Sequence, residues 1–260
     1  MKKAPDSLTA TPRWKDWRAW FEHNAANRRT IPWDRGVQPE PSLRWPLIRS
    51  LQRFQVGESG EGHHLRRSAQ SEVEDYRNAL ELFVREEQEH ARLLERLLRE
   101  MGAGLIQRHW SDACFMVLRR LAGLRQELMI LLVAEMIGKR YYQALHDGTR
   151  DPVLRSVYAQ ILDDEESHLA FHSAYLRQAF LPMSLLGRVA VRTGWRLLFR
   201  LACLVVLWDH RSVLRATGVS RGMFWWDCGL IFDHLAAVVL PFPYSRAPEV
   251  RPATAGGRAS

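Results

Sequence analysis

ILDDEESH at residues 161–168 and FVREEQEH at residues 83–90 decide the reading of this chain. Each stretch ends in Glu-x-x-His: Glu165 with His168, and Glu87 with His90. A Glu and a His three apart leave a helix on one face, one turn displaced. Working outward, the earlier pair sits on a seam of Tyr76, Leu80, Phe83, Glu87, His90, Leu94, Leu97 and Met101, in alternating steps of four and three. That is the spacing of a bundle helix, and it predicts one over about 72–101, stopped by Gly102. The later pair sits on Leu154, Tyr158, Ile161, Glu165, His168, His172 and Tyr175, in a helix opened by Asp151-Pro152, a cap followed by a first-turn proline. Ionisable groups avoid a dry core unless something pairs with them. Two such pairs on two stripes meant for burial point to bound metal rather than to surface ion pairs.

Two further helices supply the missing carboxylates. One is expected over 45–68, with Leu47, Leu51, Phe54, Glu58, Glu61 and Leu65 on its stripe. Its Gly57, Gly60 and Gly62 each lower helix propensity by about 1 kcal/mol. The other is expected over 124–146, with Leu128, Leu131, Glu135, Gly138, Tyr142 and Leu145 on one face. Glu58 precedes Glu87 by 29 residues and Glu135 precedes Glu165 by 30, so Glu…Glu-x-x-His is used twice. In an antiparallel hairpin, residues equally far from the turn lie at one height. The midpoints fall at Ser71-Glu72 and at Arg150, the latter inside the turn sequence Asp147-Gly148-Thr149-Arg150-Asp151-Pro152. Four carboxylates and two imidazoles therefore meet at one level. Glu61-x-x-His64 also matches the motif, but Glu61 would shorten the first spacing to 26, so Glu58 is preferred.

The donor types fit divalent and trivalent iron or manganese, which take carboxylate oxygen and imidazole nitrogen. Four carboxylates neutralise two divalent ions, whereas without metal they repel one another and take up protons. A metal-bound His usually gives its other N–H to a carboxylate. Glu86 and Asp164 each precede a candidate ligand, and they are expected to reach across: Glu86 to His168, Asp164 to His90.

The set Glu58, Glu87, His90, Glu135, Glu165 and His168 resembles the ferritin-like di-iron carboxylate superfamily. Asp164-Glu165-x-x-His168 is similar to the form found in its bacterial multicomponent monooxygenases. The resemblance spans about residues 45–180. It implies an all-α, ferritin-like four-helix bundle holding two iron ions, or a manganese–iron pair, that react with dioxygen or peroxide. The leading expectation is a dioxygen-activating oxidoreductase that hydroxylates, desaturates or N-oxygenates a small or lipophilic substrate, free or carrier-linked, with an external electron donor. The alternatives are a ferroxidase or rubrerythrin-like peroxide reductase, for which a Cys-x-x-Cys electron-transfer signature is missing, and an RNA-binding or tRNA-modifying di-iron protein. No recognised nucleic-acid motif accompanies the +8 net charge, so nucleic acid is not the expected partner.

Residues 1–44 form a Trp-rich extension in which Trp14, Trp17 and Phe21 share a helical face, followed by a proline-marked connection. The metal bundle is expected over 45–182 and a helical pair over 183–244, as helices 184–216 and 221–240. A disordered tail is expected over 245–260. A short crossover helix starts near Ser111. Cys114, Cys203 and Cys228 are odd in number and scattered, which excludes a disulfide framework and suggests core thiols in a reducing cytoplasm. There is no apolar run of the roughly 20 residues that cross a bilayer, and no signal-peptide pattern. Arg188, Arg192, Arg196 and Arg200 make a basic stripe, read as facing either an anionic surface (membrane lipid or an acidic carrier) or solvent. A homodimer is compatible with the pattern. His172, one turn beyond His168, is an extra ligand, a proton donor or a bonded core His; Tyr142 and Tyr175 are relay groups or core. The tryptophans at 225 and 226 and in the N-terminal extension either cap a lipophilic pocket or simply pack.

Overall fold

The computed structural model describes residues 4–5, 12–60, 62–119 and 123–241, without the side chains of 112 and 113. The expected tail and Glu61 lie outside these residues. All regular structure among them is helical. Four helices form the bundle: α2 (Pro41–Glu58), α4 (Glu74–Glu100), α6 (Leu124–Gly148) and α7 (Pro152–Phe180). The helix α1 (Trp14–Ala26) precedes them; α3 (His63–Ser68) and α5 (Trp110–Arg119) lie in the connections; α8 (Leu185–Asp209), α9 (Arg211–Ala216) and α10 (Arg221–Val239) follow. α2 packs on α4 and α6 on α7, and α4 meets α7 to join the two hairpins.

The seams behave as their spacing predicts. Tyr76, Leu80, Phe83, His90, Leu94, Leu97 and Met101 are buried, as are Leu154, Tyr158, Ile161, Glu165, His168 and His172. Asp151 caps α7 by accepting from Leu154 N at 2.8 Å, while its second oxygen accepts from Gln38 N at 2.6 Å. That ties the α6–α7 turn to the segment entering α2.

Three expectations need correcting. The first bundle helix starts at Pro41, where a proline at the first helical position suits the fixed φ, and carries Pro46 inside it. It does not run to Ser68. It ends at Glu58, and the chain resumes in α3 after Gly62, whose φ of 66° is left-handed. A Cβ on Gly62 would lie 2.6 Å from Val84, so that break needs a glycine both for its backbone and for its closeness to α4. The helix expected over 184–216 is also interrupted, at His210, whose Nδ1 is 2.6 Å from Ser50 Oγ.

The third correction concerns the arginine row, which turns toward α10 instead of forming an open solvated face; of the four, Arg196 alone is exposed. Arg188 donates to the carbonyls of Leu181, Met183 and Pro241. Arg192 and Arg196 pair with Asp233, and Arg200 stacks on Trp225 and donates to its carbonyl. Carbonyls at a helix end and one carboxylate on α10 satisfy guanidiniums that would otherwise need water. What α8 presents outward instead is apolar: Leu186, Leu197, Leu201, Leu204 and Trp208 are all more than half exposed.

Candidate metal centre

The bundle brings the two Glu-x-x-His motifs face to face. The His90 and His168 rings lie 5.5 Å apart, centroid to centroid. Glu58, His90 and Glu165 offer one ligand atom each within 4.8 Å of one another, and so do Glu87, Glu165 and His168. Glu165 belongs to both triads. Glu135 belongs to neither, but is buried beside them, 3.6 Å from His172 Nε2, and lines the same cavity as Glu58, Glu87 and Glu165. His64, of the third motif, points elsewhere: its Nδ1 is 2.9 Å from the buried Glu127.

The outer faces of the imidazoles are fully bonded, crosswise as expected. His90 Nε2 is 3.0 Å from Asp164 Oδ2, and His168 Nε2 is 3.0 Å from Glu86 Oε2. With each Nε2 donating to a carboxylate, the lone pair on Nδ1 faces inward. A further set of donors holds those carboxylates. Asn24 donates to Glu86 Oε1 and Asp164 Oδ1, both at 2.7 Å; Arg28 reaches Asp164 Oδ1 at 2.6 Å and Gln160 reaches it at 3.1 Å. Trp20 Nε1 donates to Ser167 Oγ at 2.9 Å. The N-terminal segment is thus part of the centre. The sequence carried a signal: Trp17, Phe21, Asn24 and Arg28 continue one seam in steps of four, three and four, with polar residues where apolar ones are due.

The inner face is different. His90 Nδ1, His168 Nδ1, Glu87 Oε1, Glu165 Oε2 and both oxygens of Glu135 are buried without a hydrogen-bond partner. His168 Nδ1 and Glu87 Oε1 are 3.0 Å apart, yet lack hydrogen-bond alignment. So many orphaned polar atoms converging on one point are costly unless a cation satisfies them. Two triads of oxygen and imidazole nitrogen, sharing Glu165 and free of sulfur, fit a pair of iron or manganese ions.

Electrostatics agree with that split. Burial pushes Glu58 up to about 7 and Glu135 up to about 8, with neighbouring carboxylates adding to it. Glu165 is also raised well above the carboxylate range, by burial and then by Glu87. Glu87 goes the other way: burial opposes its charge, but His168 and His90 bring it to about 2. Both His90 and His168 are raised, because Asp164 and Glu86 with Glu87 outweigh the burial. Without metal, shared protons hold these groups together.

Tyr142 OH donates to Glu58 Oε1 at 2.8 Å, and so touches a candidate ligand. Its ring neighbours Tyr141, whose OH is 2.6 Å from Ser50 Oγ, the atom that His210 also bonds. His172 is fully buried against Phe83 and Phe171, and burial followed by His168 lowers it to about 3, so it is neutral. Tyr175 is not part of the centre: it donates to Glu72 and packs on Tyr76 and Trp14.

A cavity of about 460 Å³ reaches Glu58, Glu87, Glu135 and Glu165. Its walls are mainly apolar, from Phe54, Phe83, Ile130 and Leu131 in the bundle, Phe115 and Leu118 on α5, and Leu198, Ala202 and Val205 on α8. It includes the exposed Trp110, Cys114 and Leu201, so it opens between α5 and α8. None of the N-terminal tryptophans, nor Trp225 or Trp226, lines it, which of the two readings favours packing. Cys203 and Cys228 are buried, but Cys114 is not the core thiol that was expected.

Neither a protein-family profile nor a curated protein sequence matches this chain. A solved structure does: protein 19 with aldehyde deformylating oxidase activity from Synechococcus, with a TM-score of 0.59. The fold is a ferritin-like helical bundle. Identity is 18%, over 80% of this chain and 94% of that one. That coverage extends past residues 45–180, so the likeness takes in some of the added helices as well as the bundle.

Proposed function

We propose that this chain is a non-haem di-iron oxidoreductase that uses dioxygen to oxidise a lipophilic small molecule. The observation that carries this reading is the apolar cavity whose inner end meets all four candidate carboxylates. Orphaned ligand atoms alone would equally suit an iron-storing or peroxide-reducing site, or a structural metal in an RNA-binding protein. An apolar cavity lined by two helices outside the bundle suits an organic substrate better.

In this reading Glu58, Glu87, His90, Glu135, Glu165 and His168 would hold the two ions, with Glu165 the residue common to both triads. A bound iron pair supplies the one-electron redox steps and the open positions for dioxygen that side chains cannot. The chain's own residues do the rest. Asp164 and Glu86 fix the imidazoles with Nδ1 inward. Tyr142 orients Glu58 through its hydroxyl. His172, held neutral by burial, lies beside Glu135 at the second half of the site. The apolar walls exclude water from the reacting end.

The Synechococcus protein's oxidase activity makes aldehydes the first substrate class to test here; carrier-linked acyl groups are the second. The protein should be produced with iron, stripped of loose metal and assayed for content, where about two ions per chain are expected. Dioxygen uptake with a chemical reductant should then rise on adding medium- or long-chain aldehydes, with a matching product by mass spectrometry. A Glu165→Ala variant should lose both. Stable metal binding with no uptake on any lipophile would overturn the oxygenase reading, and absence of bound metal would overturn the centre itself.

A further inference from the structure

The outward side of α8 has no neighbour among the described residues. Leu186, Ala190, Thr193, Leu197, Leu201, Leu204 and Trp208 follow one another in steps of three and four along about 33 Å of helix. All seven are exposed, none is charged, and Leu186 reaches 80% exposure. Apolar strips of this length on a protein surface mark interaction sites.

The two flanks of the strip differ. On one lies the C-terminal half of the arginine row: Arg200, stacked on Trp225, and Arg196, which pairs with Asp233 and is itself exposed. At the C-terminal end, Arg211 stacks on the exposed Trp208. On the other flank the cavity opens: Leu201 belongs both to the strip and to the cavity wall, next to Leu198, Ala202 and Val205. The route to the four carboxylates therefore starts on the apolar strip.

We infer that α8 lies against an anionic lipid bilayer, its leucine strip set into the acyl boundary, and that substrate passes from the lipid through the opening at Leu201. An apolar strip with arginines beside it and a tryptophan at its end is the pattern of a helix lying in the membrane interface. Among the described residues no helix is long and apolar enough to cross a membrane, so the contact is peripheral. A second copy of the chain fits the strip less well, since burying Leu201 would close the opening. An acidic carrier protein would bring charges against seven uncharged positions. The inference rests on the lipophilic-substrate reading only for its purpose, and its test needs neither metal nor turnover.

The test is flotation of the full chain with vesicles of phosphatidylcholine and phosphatidylglycerol. The wild type should rise with the vesicles. Leu197→Glu combined with Leu204→Glu, two exposed positions outside the cavity wall, should cut the bound fraction at least ten-fold while leaving the helical circular dichroism unchanged. Leu197→Gln with Leu204→Gln is the milder pair should the charges disturb folding, and should also lose binding. A wild type that stays with the soluble fraction overturns the inference, as do variants that float as well as it does. A non-floating wild-type dimer, split by the same substitutions, would assign the strip to a second copy.

Discussion

The two sides of the imidazole pair are built on opposite rules. On the Nε2 side every group is answered: Asp164 and Glu86 take the histidines, and Asn24, Arg28 and Gln160 take the carboxylates. On the Nδ1 side neither imidazole nitrogen, nor Glu87 Oε1, nor Glu165 Oε2 finds a hydrogen bond, and both oxygens of Glu135 have no partner. A protein able to build the first side has donors available for the second. The contrast means that the inner side is completed by something other than a side chain, either a metal or protons.

The largest expected effect tests that contrast through pH. In metal-free protein, Glu135 at about 8 and Glu58 at about 7 sit above the unfolded value of about 4.3. The folded state then holds more protons than the unfolded one, so their contribution is greatest on the acid side. It falls as pH rises from about 4.3 through 7 to 8, by about 1.4 kcal/mol per pH unit for each carboxyl. Asp164 has the opposite sign: burial opposes its charge, but His90 and Arg28 hold it well below the usual range. Its stabilisation is present above the unfolded value and is lost only in strong acid. Urea denaturation of the metal-free protein should give a lower midpoint at pH 7.5 than at pH 5. Glu135→Gln should shrink the difference, and bound metal should abolish it. The buried neutral His172 and His210 pull the other way up to about pH 6.5, so the deciding comparison is the variant: a Glu135→Gln midpoint that shifts with pH just as the wild type's does would mean that the inner carboxylates are not crowded as described.

The second effect tests the satisfied side. Asn24→Ala removes a donor shared by Glu86 and Asp164; Asp164 Oδ1 keeps Arg28 and Gln160, while Glu86 Oε1 is left with Arg28 at 3.7 Å. The expected cost is about 1–3 kcal/mol of stability, with a roughly 10–100-fold loss of metal affinity because the imidazoles are less firmly aimed. Chelator competition would measure the latter. An unchanged affinity would show that α1 merely covers the centre.

Asn24 also shows what the sequence could and could not reveal. The seams of α4 and α7, the α6–α7 turn and the crossed pairs Glu86–His168 and Asp164–His90 were legible, because helix period and equal distance from a turn fix which side chains meet. Asn24 and Arg28 continued such a seam in a segment that the family resemblance did not cover. The break after Glu58 was signalled by three glycines, but only the closeness of Val84 to Gly62 shows why the chain must turn there. The orientation of α8 was not legible. Its arginines and its leucines each form a row, and a single sequence does not say which row meets a neighbour. Asp233 and the carbonyls of Leu181, Met183 and Pro241 decide it, and of these Asp233 and Pro241 come from elsewhere in the chain.

The smallest effect belongs to Tyr142, a donor on the side where donors are scarce. Its hydroxyl bonds Glu58 Oε1 and favours the ionised carboxylate, against a burial that favours the neutral one. Tyr142→Phe removes that bond at a cost of about 1 kcal/mol. The loss should depend on pH in metal-free protein. Near pH 8, where Glu58 is ionised, the hydroxyl answers a charge; near pH 5 it answers a neutral acid and matters less. The substitution should also move the Glu58 titration above about 7, which carboxylate infrared difference spectra against Glu58→Gln would detect. An equal cost at both pH values would reduce Tyr142 to core packing. The inner side would then have no donor aimed at Glu58, which would sharpen the contrast with the outer one.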